Sequence, residues 1–266
     1  MLDIHHHLLY GLDDGPKSLD ESIAMATMAY EDGISHVVCT PHASYRYPFQ
    51  PSENALRIAE IRAELTKAGI GLTLGLGCDF HLNWDNIQDA KAHPKKYSIN
   101  ETRYLLVEFP EGLIPNSFSE AFQELQLAGF IPIVTHPERN QAIQRDPARM
   151  RPWIADGSLV QVTAGSLLGR FGKTAQALAS RFLKDDWVHI IATDAHNVSS
   201  RPPRMRETYM HIANAFGGET ARRLCIANPR AVFEGGDLGA QPDPVGIYDD
   251  EEPMPNQSWL GRLLGR

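Results

Sequence analysis

The chain has 266 residues, 42% of them hydrophobic, with 25 Lys and Arg against 33 Asp and Glu and a formal net charge of -8. That acidic balance argues against nucleic acid as a partner. No apolar run is long enough to span a bilayer and no basic-then-apolar leader opens the chain, so a cytoplasmic protein, not integral to a membrane, is expected.

Leu2-Asp3-Ile4 reads as a short first strand that closes on His5-His6-His7. Alternation in a strand sends His5 and His7 one way and His6 the other. The bland reading of the run is the stub of a purification tag, although Asp3 and Leu8-Leu9 look native. Ser18 with Glu21 forms a capping box, and a helix runs from there to about Asp32, where Gly33 ends it. Ile34 to Cys39 is a buried strand, and Glu53 to Ala68 a helix. Further strands are expected at Gly71 to Gly75, Tyr104 to Phe109, Ile131 to Thr135, Leu159 to Thr163 and Val188 to Thr193. Helices are expected at Ser117 to Ala128, Pro147 to Asp156, Thr174 to Lys184, Arg204 to Phe216 and Glu219 to Ile226. Buried strands alternating with amphipathic helices imply a parallel sheet, and seven such strands in one chain of this length favour an α/β barrel over an open sheet. Gly75-Leu76-Gly77 is too short to count as a dinucleotide fingerprint.

The barrel domain is expected to span residues 1–236, and residues 237–266 to form an acidic, Pro-rich, disordered tail. The tail ends in the apolar and basic patch Trp259 to Arg266, read as a frayed terminus before a docking or membrane-surface motif.

The chemistry lies at the ends of the strands. His5, His7 and Asp14 come after the first, His42 after the second and Asp79 after the third; Glu108 ends the fourth, His136 comes after the fifth, and Asp194 and His196 after the seventh. Nine metal-type side chains thus gather at the carboxyl ends of the strands, the face on which barrel active sites are built. They exceed the needs of one ion, since catalytic zinc takes about three protein ligands. Two or three divalent ions sharing carboxylates fit better. Three such ions would over-balance the four carboxylates by about two charges, matching a phosphate monoester dianion. Imidazole mixed with carboxylate is compatible with manganese, iron or zinc. The implied reaction is hydrolysis, with the ions activating water and stabilising the attacking and leaving oxygens. Arg139, and Arg201 or Arg206, are placed as phosphate-binding residues. A cysteine-dependent tyrosine phosphatase is excluded. It needs Cys-x5-Arg, whereas Cys39, Cys78 and Cys225 are followed at that distance by Tyr45, Trp84 and Ala231. The cysteines are read as small buried residues in a reducing compartment. His6 and His189 are taken as structural.

Asp3-Ile4-His5-x-His7, Asp13-Asp14-Gly15-Pro16-Lys17-Ser18, Thr40-Pro41-His42, His136-x-Glu138-Arg139 and Asp194-x-His196-Asn197 followed by Arg201-Pro202-Pro203 resemble the polymerase-and-histidinol-phosphatase (PHP) superfamily. Within it they are most similar to the bacterial tyrosine-phosphatase branch of capsular and exopolysaccharide synthesis. The resemblance covers roughly residues 1–235 and not the acidic tail. It implies a distorted seven-stranded (β/α) barrel of TIM-like form and a trinuclear, commonly manganese-dependent centre. The implied substrate is phosphotyrosine in the tail of a polysaccharide co-polymerase tyrosine kinase. It also implies that His5, His7, Asp14, His42, Glu108, His136, Asp194 and His196 are ligands. Asp79 stands where the branch often has a bridging glutamate, one methylene longer. Expected catalytic residues are Arg139, Arg206 and His42, and expected substrate-binding residues Arg139, Arg201, Arg206 and Tyr45. Tyr45, Tyr47, Phe49, Phe80 and Trp84 could equally wall a slot for a phenyl ring or be ordinary loop packing. A small-molecule phosphoesterase such as histidinol phosphatase is the alternative, and a non-catalytic PHP module a more distant one. The oligomeric state, including a homo-oligomer, stays open.

Overall fold

The structure, a computed structural model, describes residues 1–110, 114–115 and 117–248. Its strands are β1 (Leu2–His6), β2 (His36–Cys39), β3 (His42–Ala43), β4 (Thr73–Leu76), β5 (Asp79–His81), β6 (Tyr104–Glu108), β7 (Ile131–Thr135), β8 (Leu159–Thr163) and β9 (Ile190–Ala192). They form two parallel sheets, ordered β1-β2-β4 and β3-β5-β6-β7-β8-β9. The division is local. Thr40-Pro41 separates β2 from β3, and Gly77-Cys78 separates β4 from β5. Across that gap Gly77 N donates to Cys39 O at 3.0 Å and Asp79 N to Pro41 O at 3.1 Å. On the other side a parallel bridge joins His6 to Ala195. There His7 N donates to Ala195 O and Asp194 N to His5 O, each at 2.9 Å. Counting each interrupted pair as one strand, seven parallel strands run in chain order, the TIM-like (β/α) arrangement expected. The two short strands β3 and β5 were not foreseen. Pro41 breaks the ladder of one and the glycine pair Gly75 and Gly77 thins the pattern of the other.

Alternation along the strands sorts the chain into an inner and an outer core. Val38, Leu106, Ile133 and Ala192 belong to the inner cluster; Val37, Cys39, Leu105, Val107, Val134 and Ile191 pack outward beneath the helices. Two residues further along each inner row stand Thr40 and then His42, Glu108, Thr135 and Asp194. The inner apolar layer is thus continued, at the carboxyl ends of the strands, by polar and titratable residues.

The first strand breaks this rule in a useful way. Asp3 pairs with Val37 and His6 with Cys39, so three steps on β1 match two on β2. This bulge lets Ile4 join the inner cluster while His5 and His7 also turn inward.

Most helices lie near their expected positions; helix Leu19–Glu31 has Ser18 Oγ accepting from Glu21 N at 3.3 Å. Two were missed. Trp84–Ala92 is capped by Asn83, whose Oδ1 accepts from Asn86 N at 3.0 Å. Asn228–Glu234 closes the amino-terminal end of the strands, with Val232 in the inner cluster and Phe233 O accepting from Asn100 Nδ2. The tail was expected to begin at residue 237. Residues 237–248 lie against the body: Trp187 Nε1 donates to Val245 O, Val245 N to Asp185 O, and Asn228 Nδ2 to Gln241 Oε1. These polar anchors carry no hydrophobic period and so leave no trace in composition. Trp259 to Arg266 lies outside the described residues.

Candidate metal centre

All nine expected metal-type side chains converge. They fall into four overlapping groups whose ligand atoms lie within 4.8 Å of one another: His7, Asp14, His42 and His196; His5, Asp79 and His136; His5, His7 and Asp194; His42, Asp79 and Glu108. Asp194 Oδ1 is 3.3 Å from His5 Nε2 and 3.5 Å from His7 Nε2. Asp79 Oδ2 is 3.3 Å from His42 Nδ1 and 3.5 Å from His5 Nε2. Asp14 Oδ1 lies 3.4 Å from His42 Nε2 and 3.3 Å from His196 Nε2. Glu108 reaches His42 at 3.4 Å and His136 at 3.6 Å.

The surroundings aim these rings. His5 Nδ1 donates to Gln161 Oε1 at 2.9 Å, His7 Nδ1 to Asp13 Oδ2 at 2.8 Å, and His196 Nδ1 to Asp194 O at 3.0 Å. In each case the free Nε2 faces the cluster, the arrangement in which a second partner orients a metal-binding imidazole. Asp13 does more, accepting from His42 N at 3.1 Å and from Gly15 N at 2.9 Å. Gly15 is required there, because a Cβ would lie 2.7 Å from His7 O and 2.9 Å from Asp13 Oδ1. Neither Asp13 nor Gln161 was anticipated: Asp13 could have been found from its place beside Asp14, whereas Gln161 carries no sequence signal.

Two cluster members have left-handed backbones, His136 with φ 35° and Asp194 with φ 52°. Such conformations in non-glycine residues cost about 1–3 kcal/mol each and collect at functional sites. For His136 the turn redirects a side chain that comes next after inward-facing Thr135 and would otherwise point outward.

The electrostatics call for cations. Asp79 is completely buried, and neither carboxylate oxygen has a donor in hydrogen-bonding geometry among the described residues. A buried carboxylate in that position needs a positive partner. Burial alone would lower the pKa of His5, but the charges of Asp79 and Asp194 outweigh it and push it up to about 9. Burial likewise works against protonated His7 and His42, and the carboxylates beside them raise both. Burial, reinforced by neighbouring positive charge, pulls His196 down to about 4 and His136 well below its usual range. Burial opposes the ionised forms of Asp79 and Asp194, and the surrounding imidazoles, with Arg139 and Arg201 at Asp194, hold both well below the ordinary carboxylate range. Carboxylates kept ionised amid imidazoles are a donor set that fits divalent metal ions.

Arg139 and Arg201 both donate to Asp194 Oδ2, and the Arg139 guanidinium lies 4.4 Å from the Phe171 ring centroid. Arg206 is elsewhere. Its Nε donates to Asp32 O and its Nη2 to Glu31 O, each at 3.1 Å, capping the carboxyl end of helix Leu19–Glu31 at the opposite end of the strands. The unpaired carbonyls of a helix end attract a cation, and this held Arg206 away from the cluster.

A groove of about 550 Å³ opens beside the cluster, lined by His42, Tyr45, Arg46, Tyr47, Glu108 and Phe109 among others. Tyr45 is 76% exposed, and its hydroxyl donates to Asp85 Oδ2 at 3.1 Å. Tyr47 stacks on His42, with ring centroids 5.7 Å apart. Of the other aromatics expected in such a slot, Phe49 and Phe80 are core residues packed on Tyr97, and Trp84 lines a neighbouring depression. His6 is buried and faces away from the cluster, neither ring nitrogen having a partner among the described residues; burial and the nearby His7 hold its pKa down to about 3. His189 accepts from Val160 N through Nδ1, in keeping with a structural role.

Comparison with known proteins agrees with this geometry. The tyrosine-protein phosphatase YwqE of Bacillus subtilis is 34% identical over 220 residues, covering 82% of this chain and 86% of YwqE. CpsB of Streptococcus pneumoniae, also named a tyrosine-protein phosphatase, is 31% identical over 243 residues, covering 88% of this chain and 98% of CpsB. A crystal structure from work on YwqE and CpsB, described as unique metal-dependent tyrosine phosphatases, superposes with a TM-score of 0.86 at 32% identity, over 92% of this chain and 99% of that one. The lactonase Lmo2620 of Listeria monocytogenes, at 11% identity and TM-score 0.53 over 90% of this chain and 95% of its own, shares the fold alone. The family model described as capsular polysaccharide synthesis, CpsB/CapC, matches residues 1–234, and the chain belongs to that family.

Proposed function

We propose that this chain is a metal-dependent protein-tyrosine phosphatase that acts on a phosphotyrosine-bearing tyrosine kinase of capsular or exopolysaccharide synthesis. The observation that carries the reading is Asp79, a fully buried carboxylate without a hydrogen-bond donor, shared by two of the four overlapping groups of imidazoles and carboxylates. His5, His7, Asp14, His42, Asp79, Glu108, His136, Asp194 and His196 would hold two or three divalent ions, manganese before iron or zinc. Such ions supply Lewis acidity and an activated water for attack at phosphorus. Arg139 and Arg201, which meet at Asp194, hold the non-bridging phosphate oxygens with planar guanidinium forks. Phe171 packs against Arg139 and keeps its fork toward the centre. A phenol, with a pKa near about 10, leaves with less help from a general acid than an alcohol needs. Three free, buried cysteines suit the reducing cytoplasm.

The test is hydrolysis of a phosphotyrosine peptide and of histidinol phosphate after chelation, with manganese, iron or zinc returned in turn and bound metal measured directly. Loss on chelation, recovery with manganese, and preference for the peptide are expected. Preference for histidinol phosphate selects the small-molecule alternative. Hydrolysis that survives complete metal removal refutes the metal centre.

A further inference from the structure

We propose that the groove opening from His42 and Glu108 is the leaving-group subsite, that it takes the tyrosyl ring and flanking backbone of a phosphotyrosine peptide, and that Arg46 selects for an acidic residue beside that tyrosine. The assignment rests on the phosphatase reading above and adds to it the kind of peptide recognised.

Continuity with the metal-binding cluster comes first. His42 and Glu108 belong to the cluster, with Nδ1 of one 3.4 Å from Oε2 of the other, and both line the groove. The groove therefore begins where the phosphorus must sit. Arg139 and Arg201 meet at Asp194, and none of the three lines the groove. With the non-bridging oxygens held by the arginines, the ester oxygen and its substituent are left to point into the groove.

The walls match an aromatic substituent. Tyr47 lies nearly parallel to the His42 imidazole, with 14° between the planes, so a flat surface runs outward from the cluster. Tyr45 and Phe109 supply further ring area, and Leu82 and Pro110 aliphatic area. A volume of about 550 Å³ exceeds the needs of a phenyl ring and leaves room for neighbouring backbone.

Charge selects among peptides. Among the described residues lining the groove Arg46 is the one Lys or Arg. Its guanidinium lies 5.1 Å from the Tyr47 ring centroid, and no carboxylate among the described residues pairs with it. Among the described residues of the lining the one carboxylate, Glu108, is committed to His42 and His136. Asp85 stands just outside, occupied by the Tyr45 hydroxyl. A cationic leaving group such as an aminoalkyl phosphate meets a repelling guanidinium and no free counter-charge among the described residues, whereas an acidic side chain next to phosphotyrosine meets an available partner.

The test compares kcat/KM of the manganese-loaded enzyme on three phosphotyrosine peptides that differ in having Glu, Gln or Lys beside the tyrosine. Arg46→Ala, Arg46→Glu and Tyr45→Ala are measured alongside, with competitive inhibition by inorganic phosphate as the control. Wild type should prefer Glu over Lys by about fivefold, Arg46→Ala should flatten the series and Arg46→Glu reverse it. Tyr45→Ala should lower all three peptides about threefold. The phosphate inhibition constant should hold in every variant, because free phosphate does not enter the groove. A flat series in wild type that Arg46→Glu does not change overturns the subsite and leaves the phosphatase reading standing. Failure to hydrolyse any phosphotyrosine peptide overturns both.

Discussion

Asp13 is not among the nine clustered side chains, yet its removal should weaken metal binding. One oxygen accepts from His7 Nδ1 at 2.8 Å and His42 N at 3.1 Å, the other from Gly15 N at 2.9 Å. Burial opposes its ionised form, but the His7 charge prevails and holds its pKa down to about 2. It is thus a carboxylate at every physiological pH, and it sets which His7 nitrogen is free. Loss of such an orienting partner costs about 10- to 100-fold in metal affinity, or about 1.4–2.8 kcal/mol. Asp13→Asn keeps an acceptor but loses the charge and one oxygen, so a weakening near tenfold is expected. Asp13→Ala also strands buried donors at about 1–3 kcal/mol each and should lower the melting temperature of the metal-free protein by several degrees. Chelator competition measures the affinity, and thermal unfolding of the metal-free protein measures the stability. If Asp13→Asn binds manganese as tightly as wild type, the orienting role is refuted. A drop in metal-free stability alone would mean that Asp13 only braces the loop.

Other consequences can be checked directly. Arg139→Lys and Arg201→Lys keep the charge but lose the planar fork, so each should lower kcat/KM about tenfold or more with bound metal unchanged; equal loss of bound metal would place the arginines in the support of Asp194 instead. Burial, followed by the charge of Arg223, lowers the pKa of His189 to about 4. The neutral form is favoured on folding, so this stability is complete above pH 6.5 and is lost as pH falls from 6.5 through 4, by about 3 kcal/mol. His189→Asn keeps an acceptor for Val160 N and should make denaturant stability less sensitive to acid over that window; an unchanged acid profile would refute the assignment.

How much could be read in advance depended on the range of the interactions. The strands at Ile131–Thr135 and Leu159–Thr163 were legible as β-branched runs, and the inner row of alternate residues then put Glu108, Asp194 and His42 at the strand ends. The metal-type set was legible because seven members belong to short motifs and the other two, Asp79 and Glu108, stand at or just after the ends of expected strands. What failed was set by contacts distant in sequence. Arg206 sits ten residues past His196, as a phosphate-binding residue could, but helix-end carbonyls at Glu31 and Asp32 hold it elsewhere. Phe49 and Phe80 come after the right strands but meet Tyr97 in the core. Gln161 lies within an apolar strand, and its bond to His5 spans 156 residues.

The extra residue in β1 makes chain length there a constraint separate from residue identity. Deleting Ile4 would restore even pairing with β2, with Asp3 still opposite Val37 and His6 still opposite outward-facing Cys39. His6 and His7 would keep their directions, but His5 would take the place of Ile4 in the inner apolar cluster and be drawn back from the metal-binding cluster, though all three histidines would remain. The number of residues between Asp3 and His6 is therefore a constraint in addition to the identity of His5 itself.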